Sequence, residues 1–138
     1  SSHRRQRQMC IRDRSLSAEE YNDKINVMGL TSLLNLMHKT CAKLCGEGYH
    51  VVDKFPGCNV GDLAVEKAES KFIEVAAASI LARDSALKQF QGLSEKLNFI
   101  VPKGSTHVNS SLSTLKNSGK NPKIFVKMHF KNVQKVFN

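Results

Sequence analysis

The stretch "VVDKFPGCNVGDLAVEKAESKFIEVAAASILAR" (residues 51–83) decides how this chain is read. Its start, within "YHVVDKF" (49–55), is β-branched and aromatic, which predicts a strand. Pro56-Gly57 ends it. "DLAVEKA" (62–68) alternates weakly and suits a second strand. From Ser70, "SKFIEVAAASILARDSALKQF" has helical spacing, with Ile73, Ala76, Ala77, Ile80, Arg83 and Leu87 on one side. Ser70 is a candidate N-cap. The run Ala76-Ala77-Ala78-Ser79 is small enough for a helix backbone to approach a sheet or ligand closely. Each strand delivers one acid: Asp53 after Val51-Val52, and Glu69 after Leu63-Ala64-Val65.

Upstream, "SAEE" reads as a capping box, with Ser17 and Glu20 each satisfying the other's amide. A short helix is expected to about Asn26, and Gly29 loosens the chain. Leu30, Leu33, Leu34, Met37, Cys41 and Leu44 then form an apolar stripe, so 30–45 is an amphipathic helix closed by Gly46. Downstream, Gly92 is expected to divide the long helix from a short one at 93–98. "FIVPKGSTHVNSS" (99–111) reads as a strand end and a glycine loop, and Ser110 or Ser111 opens a helix to about Lys116. "NSGKNP" (117–122) is a turn, and the tail after it leans helical. Alternating strands and helices give an α/β fold.

The 138 residues suffice for one domain, and a hydrophobic content of 41% is ordinary for a globular protein. No stretch approaches the roughly 18 apolar residues of a membrane span. There is no apolar leader, and four cysteines without a disulfide-like framework favour the cytoplasm. The net charge of +9 points to an anionic partner. Residues 1–14 hold five arginines and one aspartate, a net +4, which leaves +5 for the rest. The basic head, residues 1–15, lacks apolar periodicity and is read as disordered. It resembles translated adapter sequence and is taken as non-native, with a nucleic-acid-binding arm as the alternative. Residues 16–138 carry the fold.

Phosphodiester hydrolysis needs charge neutralisation and an activated water, which two divalent ions about 4 Å apart supply from clustered carboxylates. Asp53, at the C-terminal end of a strand, stands where α/β sheets place ligands. Spacing alone nevertheless favours solvated surface charge for Asp53 and Glu69. Cys41 and Cys45 share a helix face, and Cys58, His38 or His50 would be needed to complete a zinc site. The spacing lacks the C-x2-C pattern, so buried small hydrophobes are the preferred reading. His38, His107 and His129 fit no Ser-His-Asp order. In "VPKGST", Lys103, the Gly104 backbone and Ser105 form a weak phosphate-binding candidate.

Taken together these pieces resemble type 2 ribonuclease H, and specifically ribonuclease HIII. "KAESKFIEVAAASILAR" (67–83) is the most specific segment; "VVDKF" (51–55), "PKGS" (102–105), "VKMHFKN" (126–132) and "EEYNDK" (19–24), with His38 further on, agree with it. The resemblance implies a ribonuclease H-like fold and metal-assisted cleavage of the RNA strand in RNA–DNA hybrids, with Mg2+ or Mn2+. It implies that Asp53 and Glu69 are metal-binding catalytic acids. Lys67, Ser70, Arg83, Lys103, Gly104 and Ser105 become substrate-side positions. Hybrids are recognised by shape, phosphates and 2′-hydroxyls. No protein partner and no membrane are implied.

One departure stands out. The family's first two acids form an Asp-Glu pair on a first strand, followed by a glycine-basic-glycine motif, and no such segment occurs in the 138 residues. Glu19-Glu20 belongs to a helix cap. The expectation is therefore a partial fold, the C-terminal part of the catalytic domain with its N-terminal strands missing and two of four acids, inactive alone. The alternative is a non-catalytic nucleic-acid-binding remnant that relies on its basic charge.

Overall fold

The computed structural model describes residues 14–103 and 107–138. The basic head, save Arg14 and Ser15, lies outside the described residues, as do Gly104 and Ser105. The elements run α1 (Ala18–Cys45), β1 (Val51–Asp53), β2 (Leu63–Val65), a 3-10 turn (Ala68–Ser70), α2 (Ile73–Leu97), α3 (Val108–Asn117), a 3-10 turn (Pro122–Ile124) and α4 (Lys131–Phe137). The chain divides into two compact units, one built on residues 28–83 and the other on 16–27 with 84–138. Among the described residues no helix is long and apolar enough to cross a membrane.

The capping box forms as read: Glu20 N–H donates to Ser17 Oγ at 3.1 Å, and Ser17 N–H to Glu20 Oε1 at 3.3 Å. Gly29 is non-helical (φ 76°, ψ 169°) and kinks α1. Gly46 closes it in the left-handed conformation, its N–H reaching Ala42 O at 3.1 Å.

In the 28–83 unit, β1 and β2 pair in parallel, with Val51 opposite Leu63 and Asp53 opposite Val65. Parallel neighbours usually need a crossover of a dozen or more residues. Here residues 54–62 suffice, because Asn35 of α1 holds the loop. Its Nδ2 donates to Gly57 O at 3.1 Å and its Oδ1 accepts from Asn59 N–H at 3.0 Å. Asn35 is only 8% exposed, beside a small core of Leu33, Val52, Val60 and Ala68. The buried side of this helix thus includes Asn35, which lies off the predicted stripe, while Leu30 and Leu44 of the stripe remain about half exposed. His38 stacks on Phe55 of the same loop, with centroids 5.3 Å apart, and burial pushes its imidazole below the ordinary value.

The other unit is tied by Asn22, 2% exposed. Its Nδ2 donates to Lys123 O and Val126 O, both at 2.8 Å, and its Oδ1 accepts from Met128 N–H at 2.9 Å. Leu112 and Leu115 of α3 and Val133 of α4 are its buried apolar residues.

Four expectations need correction. Ser70 is not the N-cap of α2, because its Oγ donates to Lys67 O at 2.8 Å within the 3-10 turn and the helix starts at Ile73. Gly92 does not divide α2. A helical glycine costs about 1 kcal/mol but imposes no break, and Gly92 keeps a negative φ. No strand forms at 99–101, where Val101 N–H instead donates to Ser94 Oγ at 2.9 Å. Helix α3 opens at Val108, before Ser110, with His107 in the left-handed conformation ahead of it.

Two outcomes follow. Asn35→Ala leaves Gly57 O and Asn59 N–H without their partner and should destabilise by about 2 kcal/mol in urea unfolding; an unchanged midpoint would contradict the clamp. For His38 the folded imidazole binds a proton more weakly than the unfolded one, whose value lies near 6.5. Stability is then full above about pH 6.5 and falls as the unfolded state takes up the proton below it. Urea midpoints at pH 7.5 and 5.5 should show this fall, and His38→Phe should reduce it.

Candidate functional site

The local chain path explains why two acids arrive together. β1 ends on Asp53 at the C-terminal edge of the strand pair, and Lys54 N–H donates to Val65 O at 2.9 Å. After β2, Lys67 takes the left-handed conformation (φ 53°, ψ 42°), a cost on the order of 1 kcal/mol for a residue with a Cβ. The chain then tightens into the 3-10 turn Ala68–Ser70. Ala68 is fully buried, and its N–H donates to Asp53 Oδ1 at 3.4 Å. Glu69 is the next residue. Asp53 and the turn that carries Glu69 are therefore adjacent, on the strand register and on this bond.

Both carboxylates are exposed, and neither takes part in an ion pair among the described residues. Their oxygens are the donor type that a hard divalent cation prefers. Among the described residues, no group of three or more His, Cys, Asp or Glu side chains forms a metal cluster. The residues present thus fit a divalent ion in donor chemistry and supply two carboxylates. Cys41, Cys45 and Cys58 are half-buried and belong to no ligand cluster.

Lys67 and Ser70 flank Glu69 and are exposed. Arg83 is exposed on α2, ten residues past its start, about 15 Å along the axis. Lys103 is exposed and belongs to the other unit.

A family model described as ribonuclease HII matches residues 53–133, from Asp53 itself into α4. The chain belongs to this family. Its similar relatives are ribonucleases HIII. The one from Aquifex aeolicus (strain VF5) is 30% identical over 123 residues, covering 83% of this chain and 46% of that protein. The one from Bacillus cereus (strain AH187) is 47% identical over 75 residues, covering 51% and 24%. The crystal structure of Bst-RNase HIII in complex with Mn2+ superposes with a TM-score of 0.69 at 23% identity, over 88% of this chain and 48% of that one. The α/β arrangement is accordingly a partial ribonuclease H-like fold, and the chain spans less than half the length of these relatives.

Sequence reasoning missed the residues that position the two carboxylates. Asn35 shapes the crossover, and Asp62 Oδ2 accepts from His50 N–H at 2.7 Å just before β1. Gly61 lies against β1 with φ 86°, and a Cβ there would meet Val52 Cγ2 at 2.7 Å. The "NVGD" turn was the one available signal, since Asn35 lies off the apolar stripe of its helix. Gly61→Ala should cost about 1–3 kcal/mol by crowding β1, measured by thermal unfolding; a wild-type Tm would refute the close approach.

Proposed function

We propose that this chain is the C-terminal part of the catalytic domain of a ribonuclease H that cleaves the RNA strand of RNA–DNA hybrids, using Mg2+ or Mn2+. The reading is carried by the pair of exposed, unpaired carboxylates that end β1 and follow β2. Family membership supports the reaction class, and the similar solved structure was obtained with Mn2+. In this reading Asp53 and Glu69 hold the metal. The ion, once bound, supplies charge neutralisation and an activated water. Lys67, Ser70 and Arg83 lie on the substrate side, with Lys103, Gly104 and Ser105 as a further phosphate contact. The exposed side chains of Lys67 and Arg83 suit phosphate oxygens. We place the protein in the cytoplasm.

The 138 residues carry two of the four family acids, so the chain by itself is expected to leave a labelled hybrid uncut in Mg2+ or Mn2+. Robust cleavage by residues 16–138 would overturn this. In a form that carries all four acids, Asp53→Asn should lower cleavage about 100-fold or more, since a ligand to the ion is worth several kcal/mol of transition-state stabilisation. Retained activity would refute the role of Asp53.

The net +5 of residues 15–138 and the "PKGS" loop favour a second reading, a nucleic-acid-binding remnant without catalysis. It predicts hybrid binding that is indifferent to metal and weakens steeply with salt.

A further inference from the structure

Outside the basic head, residues 1–15, the charge of this chain is not spread evenly. Residues 28–83, which contain the candidate acids, hold six Lys or Arg and six Asp or Glu and are formally neutral. The other unit, residues 16–27 with 84–138, holds ten lysines against five acids, a net +5, and nine of those lysines lie in 84–138 against only Asp84 and Glu95. Within them, the segment from Lys116 to Lys135 has six lysines, spaced three or four apart, and no acidic residue at all.

Three of these lysines are engaged within the unit. Lys123 pairs with Asp23. Lys120 Nζ donates to the Lys96 carbonyl at 2.6 Å. Lys127 Nζ stands 4.6 Å from the centroid of the Tyr21 ring. The remaining three, Lys116, Lys131 and Lys135, are exposed and have no ion pair among the described residues. Lys131 and Lys135 are one turn apart on α4, and both fall on the side opposite its buried Val133. Like charges at that spacing oppose the helix they sit on. Solubility alone is better served by mixed signs. Exposed cations without counter-charges are instead what a polyanion neutralises, and each phosphate contact is repaid by the release of condensed counterions.

We propose that the segment Lys116–Lys135 is a binding surface for the phosphate backbone of a nucleic-acid duplex, with Lys116, Lys131 and Lys135 as its free contacts. The surface reads backbone charge without base sequence and needs no metal. It deepens the hybrid-cleaving reading by assigning substrate affinity to a surface outside the acidic pair. It rests on that reading only for the choice of polyanion.

The test is fluorescence anisotropy of the whole 138-residue chain with a labelled RNA–DNA hybrid in EDTA, at several salt concentrations. Lys116→Gln, Lys131→Gln and Lys135→Gln together should weaken binding at low salt about tenfold or more and flatten the slope of log K against log salt by about 2–3. The corresponding triple Lys→Arg chain should bind as the wild type does, which separates lost charge from lost folding. The proposal fails if the wild type does not bind the hybrid in EDTA, or if the triple Gln chain binds with wild-type affinity and slope. It fails also if the Arg chain does not restore binding. Lysine-dependent capture of vesicles containing phosphatidylserine, without hybrid binding, would overturn it in favour of a membrane surface. Cleavage by Asp53→Asn, read in a form that carries all four acids, bears on the catalytic reading alone, so the two can fail separately.

Discussion

The two hydrogen bonds from the side chain of Asn35 constrain the unit that holds the acids. A nine-residue link between neighbouring parallel strands has no helix in which to satisfy its own backbone groups. The loop must therefore borrow partners, and Asn35 supplies both an acceptor and a donor from the middle of α1. With the loop fixed, β2 lies beside β1 in the register that sets Asp53 opposite Val65. The Ala68 amide then meets Asp53, and Glu69 follows. One buried amide side chain thus governs where a pair of carboxylates ends up. Its cost of burial is met because both of its ends are bonded.

The turn after β2 adds strain to this constraint. Lys67 accepts a left-handed conformation that glycine would take freely. Keeping a lysine there places a cation immediately before the fully buried Ala68 and the exposed Glu69. The small Ala68 lets the turn sit on the strand end, and a larger side chain at that position would displace the amide that Asp53 accepts. Burial on one side of the turn and exposure on the other is what leaves the carboxylates open to solvent while the backbone beneath them is fixed.

Much of the fold was legible where local chemistry decides. The Ser17–Glu20 box, the Gly29 break, the Gly46 cap and the two strands were all readable from residue type and spacing, although the strands are shorter than the β-rich runs that contain them. Gly92 and Ser70 misled because each residue type marks a boundary only when nothing else satisfies the local backbone. Gly92 sits inside good helix formers, and Ser70 finds the carbonyl of Lys67 first. The acids were visible as residues but not as a pair. Their adjacency depends on a strand register and a turn, and only the likeness of residues 67–83 to a known family pointed to it. Asn35 and Asn22 were not legible, since a polar residue on a helix reads as solvent-facing unless its distant backbone partners are known.

Helix α2 shows how little of the site depends on its own packing. None of its 25 residues is buried, and Ile73 and Ile80, on the side the sequence marks as apolar, are 81% and 71% exposed. Each leaves unrealised the roughly 1.5–3 kcal/mol that burial of such a side chain brings. Among the described residues nothing buries this side, and what favours the helix locally is its good helix formers, Ala, Leu, Lys and Gln. Glu69 lies at the joint between this helix and the strand pair. Its position follows from the strand side, where Ala68 is buried and bonded to Asp53, because the helix side has no buried contact to fix it.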